Sequence, residues 1–256
     1  MRRFQQFDQA EFDREYMQFY FIRHAQSTNN ALYDQSASWQ GRSHDPELTN
    51  LGQQQAQLLA QFLKRGESST ANAAWDPQNA SGFGLTHLYA SLMVRALHTG
   101  SIVAAELGRP LLTWEDLHET GGLYLDDEQA HTKTGQPGLN RAELAERFPH
   151  LVLPETVYET GWWNRPFEEA EQWPIRARRF LNDLLARHAN TLDRVAVISH
   201  GGFYHQVLTA LLDLPARHGL WFLMNNAGIS RIDFYNGNLT LVYSNRVDFL
   251  PGELIT

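Results

Sequence analysis

The sequence predicts an α/β fold, a three-layer α/β/α sandwich around a mixed, mainly parallel sheet. Two apolar runs, residues 19–22 and 195–198, end abruptly at polar residues, as buried parallel strands do. Strand-like and helix-like segments alternate along the chain, which is typical of a sheet covered by helices on both faces. Asn236-Gly237, a strong hairpin signal, predicts an antiparallel pair near the end of the chain.

The first half of the chain begins with a strand over residues 18–23. A long polar loop over residues 25–47 follows, and we expect it to lack regular structure and to serve function. Thr49 is placed to cap a helix that ends at Gly66. The remaining predicted elements are a surface excursion over residues 67–84, a strand over 85–90, a helix capped by Ser91 that runs to residue 107, and a strand over 111–114.

Residues 115–173 break this alternation. We interpret them as a lid insertion over the carboxyl ends of the strands, within a single domain of residues 1–256 whose residues 1–17 form a tail or a short leader helix. Asn140 and Glu143 have the spacing of a capping box and predict a small helix over residues 140–148. The later predicted elements are a helix over residues 174–188, a strand over 195–199, a helix over 203–212, and strands over 228–235 and 238–244.

Composition excludes several classes of function. The net charge of -8 argues against non-specific nucleic-acid binding, and the absence of cysteine excludes disulfides, zinc–thiolate sites and cysteine nucleophiles. No apolar run approaches the length of a membrane span, and the polar amino terminus does not resemble a secretory signal, so we expect a cytoplasmic protein without a membrane partner. The predicted hairpin over residues 228–244 leaves a sheet edge that could pair two subunits, so a homodimer stays open.

Chemistry-bearing side chains follow the two apolar runs. Arg23-His24 comes directly after the first run, and His200 with Gly201-Gly202 comes after the second. Because ligands bind at the carboxyl ends of strands in open α/β sheets, we expect these residues to meet. Arginine holds phosphate oxygens, and histidine is a nucleophile or proton carrier near neutral pH. The pattern predicts phosphoryl chemistry without a metal, since no His or carboxylate cluster has metal-ligand spacing in the sequence.

Five segments occur in a fixed order along the chain: Arg-His-Ala-Gln-Ser-Thr-Asn-Asn (residues 23–30), Asp-Pro-Glu-Leu-Thr-Asn-Leu-Gly (45–52), Ser-Leu-Met-Val-Arg-Ala (91–96), Leu-His-Glu (117–119) and Ser-His-Gly-Gly (199–202). Together they resemble the motifs of the histidine phosphatase superfamily, the phosphoglycerate-mutase-like proteins. The resemblance extends over residues 19–244. One departure is alanine at position 25, where the family usually has glycine.

The resemblance implies a role for each matching residue. His24 would be the nucleophile that forms a phosphohistidine, which water then hydrolyses. Arg23 and Arg95 would clamp the phosphate oxygens, and a protonated His200 would donate to a phosphoryl oxygen in the transition state. Glu119 would protonate the leaving oxygen and then activate water, a role that needs a raised pKa.

Three further residues are expected to bind substrate. Asn30 matches the pocket asparagine of the family, Ser27 lies in the same motif, and Gly201 with Gly202 would offer backbone N–H groups to phosphate at a helix amino terminus. The resemblance implies neither a cofactor nor a metal. Trp162 and Trp163 are interpreted as lid packing. The side chains expected to be structural or exposed are His44, His98, His118, His131, His205 and His218, together with Arg176, Arg178 and Arg179 on a solvated helix face.

The leading hypothesis is a metal-independent phosphatase, a phosphoric monoester hydrolase acting on small phosphorylated substrates. Sugar-acid mutases of the family carry a basic, aromatic run after the residue that corresponds to Glu119, where it binds the substrate carboxylate and the bisphosphate primer. Here residues 120–124 read Thr-Gly-Gly-Leu-Tyr and contain neither arginine nor lysine. Their absence favours hydrolysis. A phosphoglycerate mutase and a catalytically silent scaffold of the same fold stay open as alternatives.

Overall fold

A computed structural model describes residues 16–66, 76–127, 132–154, 159–215 and 219–256. The strands are β1 (Tyr16–Arg23), β2 (His87–Ala90), β3 (Leu111–Thr113), β4 (Tyr124–Asp127), β5 (Thr132–Gly135), β6 (Leu151–Val152), β7 (Arg194–Ser199), β8 (Ile229–Tyr235) and β9 (Asn238–Arg246). The helices are α1 (Thr28–Ser36), α2 (Asn50–Lys64), α3 (Val94–Leu107), α4 (Arg141–Arg147), α5 (Gln172–His188) and α6 (Gly201–Leu211), with short 3₁₀ turns at Glu115–Leu117 and Gly252–Leu254.

Seven strands form one sheet in the order β6-β3-β2-β7-β1-β8-β9. The five strands from β6 to β1 are parallel, whereas β8 runs antiparallel to β1 and β9 antiparallel to β8. Strands β4 and β5 form a separate antiparallel pair. This arrangement confirms the predicted mixed, mainly parallel sheet.

Helices cover both faces of the sheet. On one face α2 packs against α3, and their apolar side chains share a core with Tyr20 and Ile22 of β1. On the other face α5 packs against α6 over Phe19 and Phe21. Because successive strand residues point to opposite faces, β1 is buried on both of its sides and is apolar nearly throughout. The predicted three-layer sandwich is confirmed.

Local signals placed several element ends correctly. Thr49 Oγ1 accepts from the N–H of Gly52 at the start of α2, as an N-cap does. Asn140 and Glu143 form the predicted reciprocal capping box of α4. Asn236 and Gly237 have φ of 46° and 72° and join β8 to β9 as a two-residue hairpin.

Two predictions at helix starts were wrong. The loop over residues 25–47 contains α1, which begins because Ser27 and Asn30 form a capping box; α1 has no continuous apolar stripe, so periodicity did not reveal it. Ser91 does not cap α3, which begins at Val94 after Met93. The buried hydroxyl of Ser91 contacts His200 instead.

Some predictions concern residues outside the described ranges. These are residues 1–15 of the predicted tail, residues 67–75 of the surface excursion, residues 128–131 and 155–158 of the insertion, and His131 and His218. The single domain and the lid role of residues 115–173 stay predictions. Within the described ranges, no helix combines the length and the apolar character needed to cross a membrane.

Candidate active site

The sheet brings the two motif histidines together. Strands β1 and β7 are adjacent and parallel, with Arg23 opposite Ser199, so His24 and His200 leave the same edge of the sheet. The centres of their rings lie 5.0 Å apart. This edge contains the carboxyl ends of the parallel strands, where the sequence predicts the site.

Arg95 reaches His24 from the first turn of α3. Its Nε donates a hydrogen bond to His24 Nε2 at 3.1 Å. On the other side of the ring, His24 Nδ1 lies 2.7 Å from the carbonyl oxygen of Ala25. Because a carbonyl only accepts, we assign the ring proton to Nδ1, which leaves the lone pair of Nε2 directed at the guanidinium.

The surroundings of His24 keep its ring neutral. The residue is only 3% exposed. Burial, followed by the charges of Arg95 and Arg23, holds its pKa well below the usual range. An unprotonated nitrogen is the form that can attack phosphorus.

His200 is fully buried and has one spare ring nitrogen. Its Nε2 lies 2.9 Å from Ser91 Oγ, which also accepts from the N–H of Met93. The hydroxyl of Ser91 therefore donates its hydrogen bond to Nε2 of His200. The ring proton of His200 then lies on Nδ1, which has no partner within the described residues. Burial and then the charge of Arg95 hold the pKa of His200 well below its usual value.

Arg23 is fixed at one end only. Its Nη1 donates to the carbonyl oxygen of Met224 at 2.6 Å, whereas its buried Nε has no partner within the described residues. Burial lowers the pKa of Arg23; Glu119 opposes this shift and Arg95 adds to it. The guanidinium thus keeps donor capacity at the same edge as His24.

Glu119 lies at the amino terminus of α6. Its Oε1 accepts from the N–H groups of Thr120 and Phe203, both at 2.8 Å, and its Oε2 accepts from Gly202 at 3.1 Å. A Cβ at position 202 would lie 2.5 Å from Oε1, which explains the second glycine of the motif. The expectation that the Gly202 amide is free for phosphate is wrong, because the carboxylate takes it.

The three predicted binding residues differ in their partners. Ser27 caps α1, and its N–H and hydroxyl both donate to Asn30 Oδ1. Asn226 also donates to that oxygen, so the Nδ2 end of Asn30 is the end left to contact a ligand. Gly201 lies beside Arg23, where a Cβ would come within 3.4 Å of its Nε. All three lie beside the His24 edge.

Sequence reasoning missed two residues beside Arg95. Asp45 accepts from the N–H of Val94 at 3.0 Å and lies 3.9 Å from Arg95 Nη1. Burial raises its pKa to about 7, although Arg95 opposes the shift. The guanidinium of Arg42 lies 4.2 Å above the ring of Tyr124. Asp45 begins the motif at residues 45–52, which gave no role to its carboxylate, and no motif includes Arg42.

Buried polar atoms without partners concentrate around this edge. Eight such side-chain atoms occur within the described residues. Half of them belong to the cluster around His24 and Arg95, and three of these are on cationic or imidazole groups. Because native proteins satisfy nearly all buried polar groups, the concentration makes this cluster the candidate ligand site. The four atoms are Arg23 Nε, Arg42 Nε, Asp45 Oδ2 and His200 Nδ1.

The remaining predicted groups lie outside the cluster or pack around it. Trp162 and Trp163 are buried in the core, and their role in a lid stays a prediction. Arg176 is not solvated: it is 2% exposed and pairs with Glu168 through Nε and Nη2. His118 is buried against Trp163, as a structural residue would be. His44, His98 and His205 are half-buried, and Arg178 and Arg179 are exposed.

A second polar cluster lies at the opposite edge of the sheet. His87 at the start of β2, His188 at the end of α5 and Asp193 before β7 place their ligand atoms within 4.8 Å of one another. Their spacing in the sequence gives no sign of this grouping. His188 Nδ1 bonds Asp193 at 2.8 Å, so the cluster ties α5 to β7 and is separate from His24.

Comparison with known proteins agrees with this geometry. Residues 19–247 match the family model described as "Histidine phosphatase superfamily (branch 1)". A Hydrogenobacter thermophilus protein named "Putative phosphoserine phosphatase 2" is 28% identical over 238 residues, covering 89% of this chain and 95% of that protein. A Proteus mirabilis protein named "Probable phosphoglycerate mutase GpmB" is 26% identical and is covered over 86% of each chain.

Solved structures match the fold. The phosphoserine phosphatase of Entamoeba histolytica, solved with 3-phosphoglyceric acid, aligns with a TM-score of 0.56 and 21% identity over 92% of this chain and 100% of that one. A mycobacterial glucosyl-3-phosphoglycerate phosphatase aligns with a TM-score of 0.55 and 19% identity over 91% and 100%. The family match and the phosphatase relatives confirm the predicted class, a phosphoric monoester hydrolase. The chain belongs to the histidine phosphatase superfamily, branch 1.

Proposed function

We propose that the protein hydrolyses small phosphomonoesters through a phosphohistidine on His24 and uses no metal. One observation carries the proposal: a neutral histidine presents its Nε2 lone pair to Arg95 inside a cluster of partly unpartnered cations. A phosphoryl group supplies the anion that these donors lack, and it places phosphorus beside the nucleophile.

In the first step, the substrate phosphate takes the donor of Arg95 and frees the lone pair of His24. Nε2 attacks phosphorus, the N–P bond forms and the P–O bond to the leaving group breaks. Arg23 and Arg95 hold the equatorial oxygens, and the Nδ1–H of His200 donates to one of them as charge develops. These guanidiniums and this imidazole act where a metal would otherwise stabilise charge.

Glu119 moves the proton in both steps. Its Oε2 accepts from one amide, whereas Oε1 accepts from two, so Oε2 is the oxygen that would carry a proton at the start of the cycle and give it to the leaving oxygen. In the second step the carboxylate takes a proton from water, the resulting hydroxide attacks phosphorus, and the P–N bond breaks. Inorganic phosphate leaves and Nε2 regains its lone pair. Asn30 Nδ2 and the Gly201 amide complete the phosphate contacts in this proposal, and Ser27, whose two donors both go to Asn30 Oδ1, positions Asn30.

The substrate is a small phosphorylated molecule, since the relatives with phosphatase names point to that class. Phosphoserine is one candidate because a relative carries its name. The mutase reading is retained as a second candidate because relatives at 24–26% identity are named phosphoglycerate mutases. The net charge of -8 supports a protein without a nucleic-acid partner, and we keep the cytoplasm as its expected location. Strand β9 ends the sheet and is the edge at which a homodimer would pair.

The test is product analysis on a panel of phosphomonoesters, with inorganic phosphate and isomerised monophosphate measured together. We expect inorganic phosphate, no need for a bisphosphate primer, and full activity after treatment with EDTA. His24→Ala should reduce turnover to less than a few percent while the far-UV circular dichroism is unchanged. His205→Ala, which removes a histidine from α6, is the matched control and should keep full activity.

Three results would separate the alternatives. Isomerised product that depends on a bisphosphate would support the mutase. Loss of activity with EDTA, restored by a divalent cation, would contradict metal-independent chemistry. A folded protein that releases no phosphate from any ester of the panel would support the silent scaffold.

A further inference from the structure

Arg42 is a half-buried cation to which the described residues offer no anionic partner. It lies in the loop after α1, and its guanidinium stacks 4.2 Å above the ring of Tyr124. Its Nε is buried, and within the described residues it has neither a hydrogen-bond acceptor nor an ion pair. Elsewhere in the molecule, the guanidinium of Arg187 stacks at 4.1 Å on the ring of Trp114, but Arg187 is exposed to water. Stacking alone therefore does not explain why Arg42 is partly desolvated.

Arg42 lies close to the proposed phosphate contacts. Burial, countered by Asp45 and Glu119, lowers the pKa of Arg95, and the charge of Arg42 lowers it further. Tyr124 acts on Arg95 as well. Arg42 lies three residues before Asp45, whose Oδ1 is 3.9 Å from Arg95 Nη1. Like charges in a partly buried site repel each other unless an anion joins them.

The loop that carries Arg42 is held in place. The side-chain amide of Asn29 on α1 donates to the carbonyl oxygen of Ser43 at 2.8 Å and accepts from the N–H of Ser43 at 2.9 Å. The N–H of Arg42 itself donates to the carbonyl oxygen of Trp39. Because these bonds fix the backbone next to Arg42, little conformational entropy is lost when its guanidinium binds a ligand.

We propose that Arg42, stacked on Tyr124, binds a carboxylate of the substrate, so that the enzyme selects phosphomonoesters that also carry a carboxylate. This inference rests on the proposed phosphatase function. One guanidinium fork matches one planar carboxylate through two parallel hydrogen bonds. A second phosphate group, with up to two charges, would call for more than the one guanidinium that Arg42 provides.

The proposal also explains how a basic contact arises without a basic run at residues 120–124. Tyr124 belongs to that stretch, and the cation above its ring comes from a segment about eighty residues earlier in the chain. The carboxylate contact of a sugar-acid mutase is thus replaced by an arginine that no local motif reveals. A single contact of this kind binds a carboxylate without retaining a bisphosphate primer.

The experiment compares kcat/KM for two matched pairs of esters. The pairs are O-phosphoserine with O-phosphoethanolamine, and 3-phosphoglycerate with glycerol 3-phosphate; in each pair the first carries a carboxylate that the second lacks. We expect the wild-type enzyme to prefer the carboxylate member by tenfold or more. Arg42→Met should reduce that preference to less than threefold, mainly through a higher KM for the carboxylate members.

Arg187→Met is the matched control, because it removes an arginine stacked on an aromatic ring at nearly the same distance but remote from His24. It should keep the wild-type preference. Equal use of both members by the wild-type enzyme, or an equal loss on both in Arg42→Met, would overturn the inference and leave the phosphatase proposal standing. A stronger preference for fructose 1,6-bisphosphate than for either carboxylate ester would overturn the choice of a carboxylate. Release of phosphate from no ester at all would instead refute the proposed function.

Discussion

Two buried arginines show how the same side chain serves structure in one place and ligand binding in another. Arg231 of β8 is 1% exposed, and its Nε and Nη2 donate to the two oxygens of Asp233 at 2.8 and 2.9 Å. Its Nη1 donates to the carbonyl oxygen of Asp76 at 2.6 Å. Arg95 is nearly as buried, yet its nearest carboxylate, Asp45, is 3.9 Å away and its Nε is bound to a histidine nitrogen.

The pKa shifts of the two arginines run in opposite directions. Burial acts to lower the pKa of Arg231, but Tyr20 and Asp233 outweigh it and raise the pKa above the ordinary value. For Arg95, burial prevails over Asp45 and the pKa falls. A buried charge with a complete set of partners is part of the scaffold, whereas a buried charge with spare donors is held ready for an anion.

The largest effect that this comparison predicts is on stability. Asp233→Asn removes the countercharge of Arg231, and breaking such a buried pair should lower the free energy of unfolding by about 3–5 kcal/mol. Urea unfolding followed by circular dichroism measures the loss. Activity per folded molecule should be unchanged, because the pair lies away from His24.

Arg246 and Asp248 provide the matched control for that substitution. They have the same spacing in sequence and a similar Nε–Oδ1 distance, 2.7 Å, but the side chain of Asp248 is 62% exposed. Asp248→Asn should therefore cost less than about 1 kcal/mol. Similar losses at the two sites would remove the distinction between buried and exposed pairs.

The next largest effect is on catalysis. Arg95→Ala should lower kcat/KM by about 10²- to 10³-fold, as expected when one preorganised donor to a developing charge is lost. Its unfolding free energy should fall less than that of Asp233→Asn. Steady-state kinetics with Arg178→Ala as a surface control make the comparison. A decrease of less than threefold would mean that Arg95 does not face the phosphate.

The smallest effect is the pH dependence of stability. The pKa values of three histidines, His24, His118 and His200, lie well below 6.5 in the folded protein. Below about pH 6.5 the unfolded chain therefore binds more protons than the folded protein does. The free energy of unfolding consequently decreases as the pH falls. In His24→Asn, the slope of the free energy of unfolding against pH should decrease by up to about 1.4 kcal/mol per pH unit. Denaturant titrations between pH 5 and 7 test this, and an unchanged slope would contradict a neutral buried His24.

Asp45 acts in the opposite sense. Its pKa is raised to about 7, so the stability it contributes is present at low pH and is lost as the pH rises through that value. Asp45→Asn should accordingly gain stability relative to the wild type as the pH rises from 4 to 8. The same denaturant titrations measure this difference.

Local signals explain why much of the molecule could be predicted from sequence. Thr49, Asn140 and Asn236-Gly237 each specify a cap or a turn within a few residues, and His24 and His200 follow apolar strands directly. These features need no knowledge of distant segments. The order and type of the elements followed from them.

The features that were missed depend on contacts between distant segments. Arg176 has the sequence context of a solvated helix face, but its burial depends on Glu168 and on the carbonyl oxygens of Asp116 and His118. Arg42 meets Tyr124 only after the chain has folded. Such placements are properties of the tertiary structure, and composition and periodicity do not encode them locally. The β4–β5 pair is local instead, and it escaped prediction because its sequences, Tyr-Leu-Asp-Asp and Thr-Lys-Thr-Gly, lack the alternation of apolar and polar residues typical of a strand.

The most direct test of the account is to trap the covalent intermediate. Wild-type enzyme turning over a [³²P]phosphomonoester is quenched in alkali, which preserves phosphohistidine, and the labelled peptide is mapped by mass spectrometry. We predict an acid-labile label on His24, formed and lost at rates compatible with turnover, and no label in His24→Ala. Label on a different side chain, or undiminished phosphate release by His24→Ala, would contradict the account.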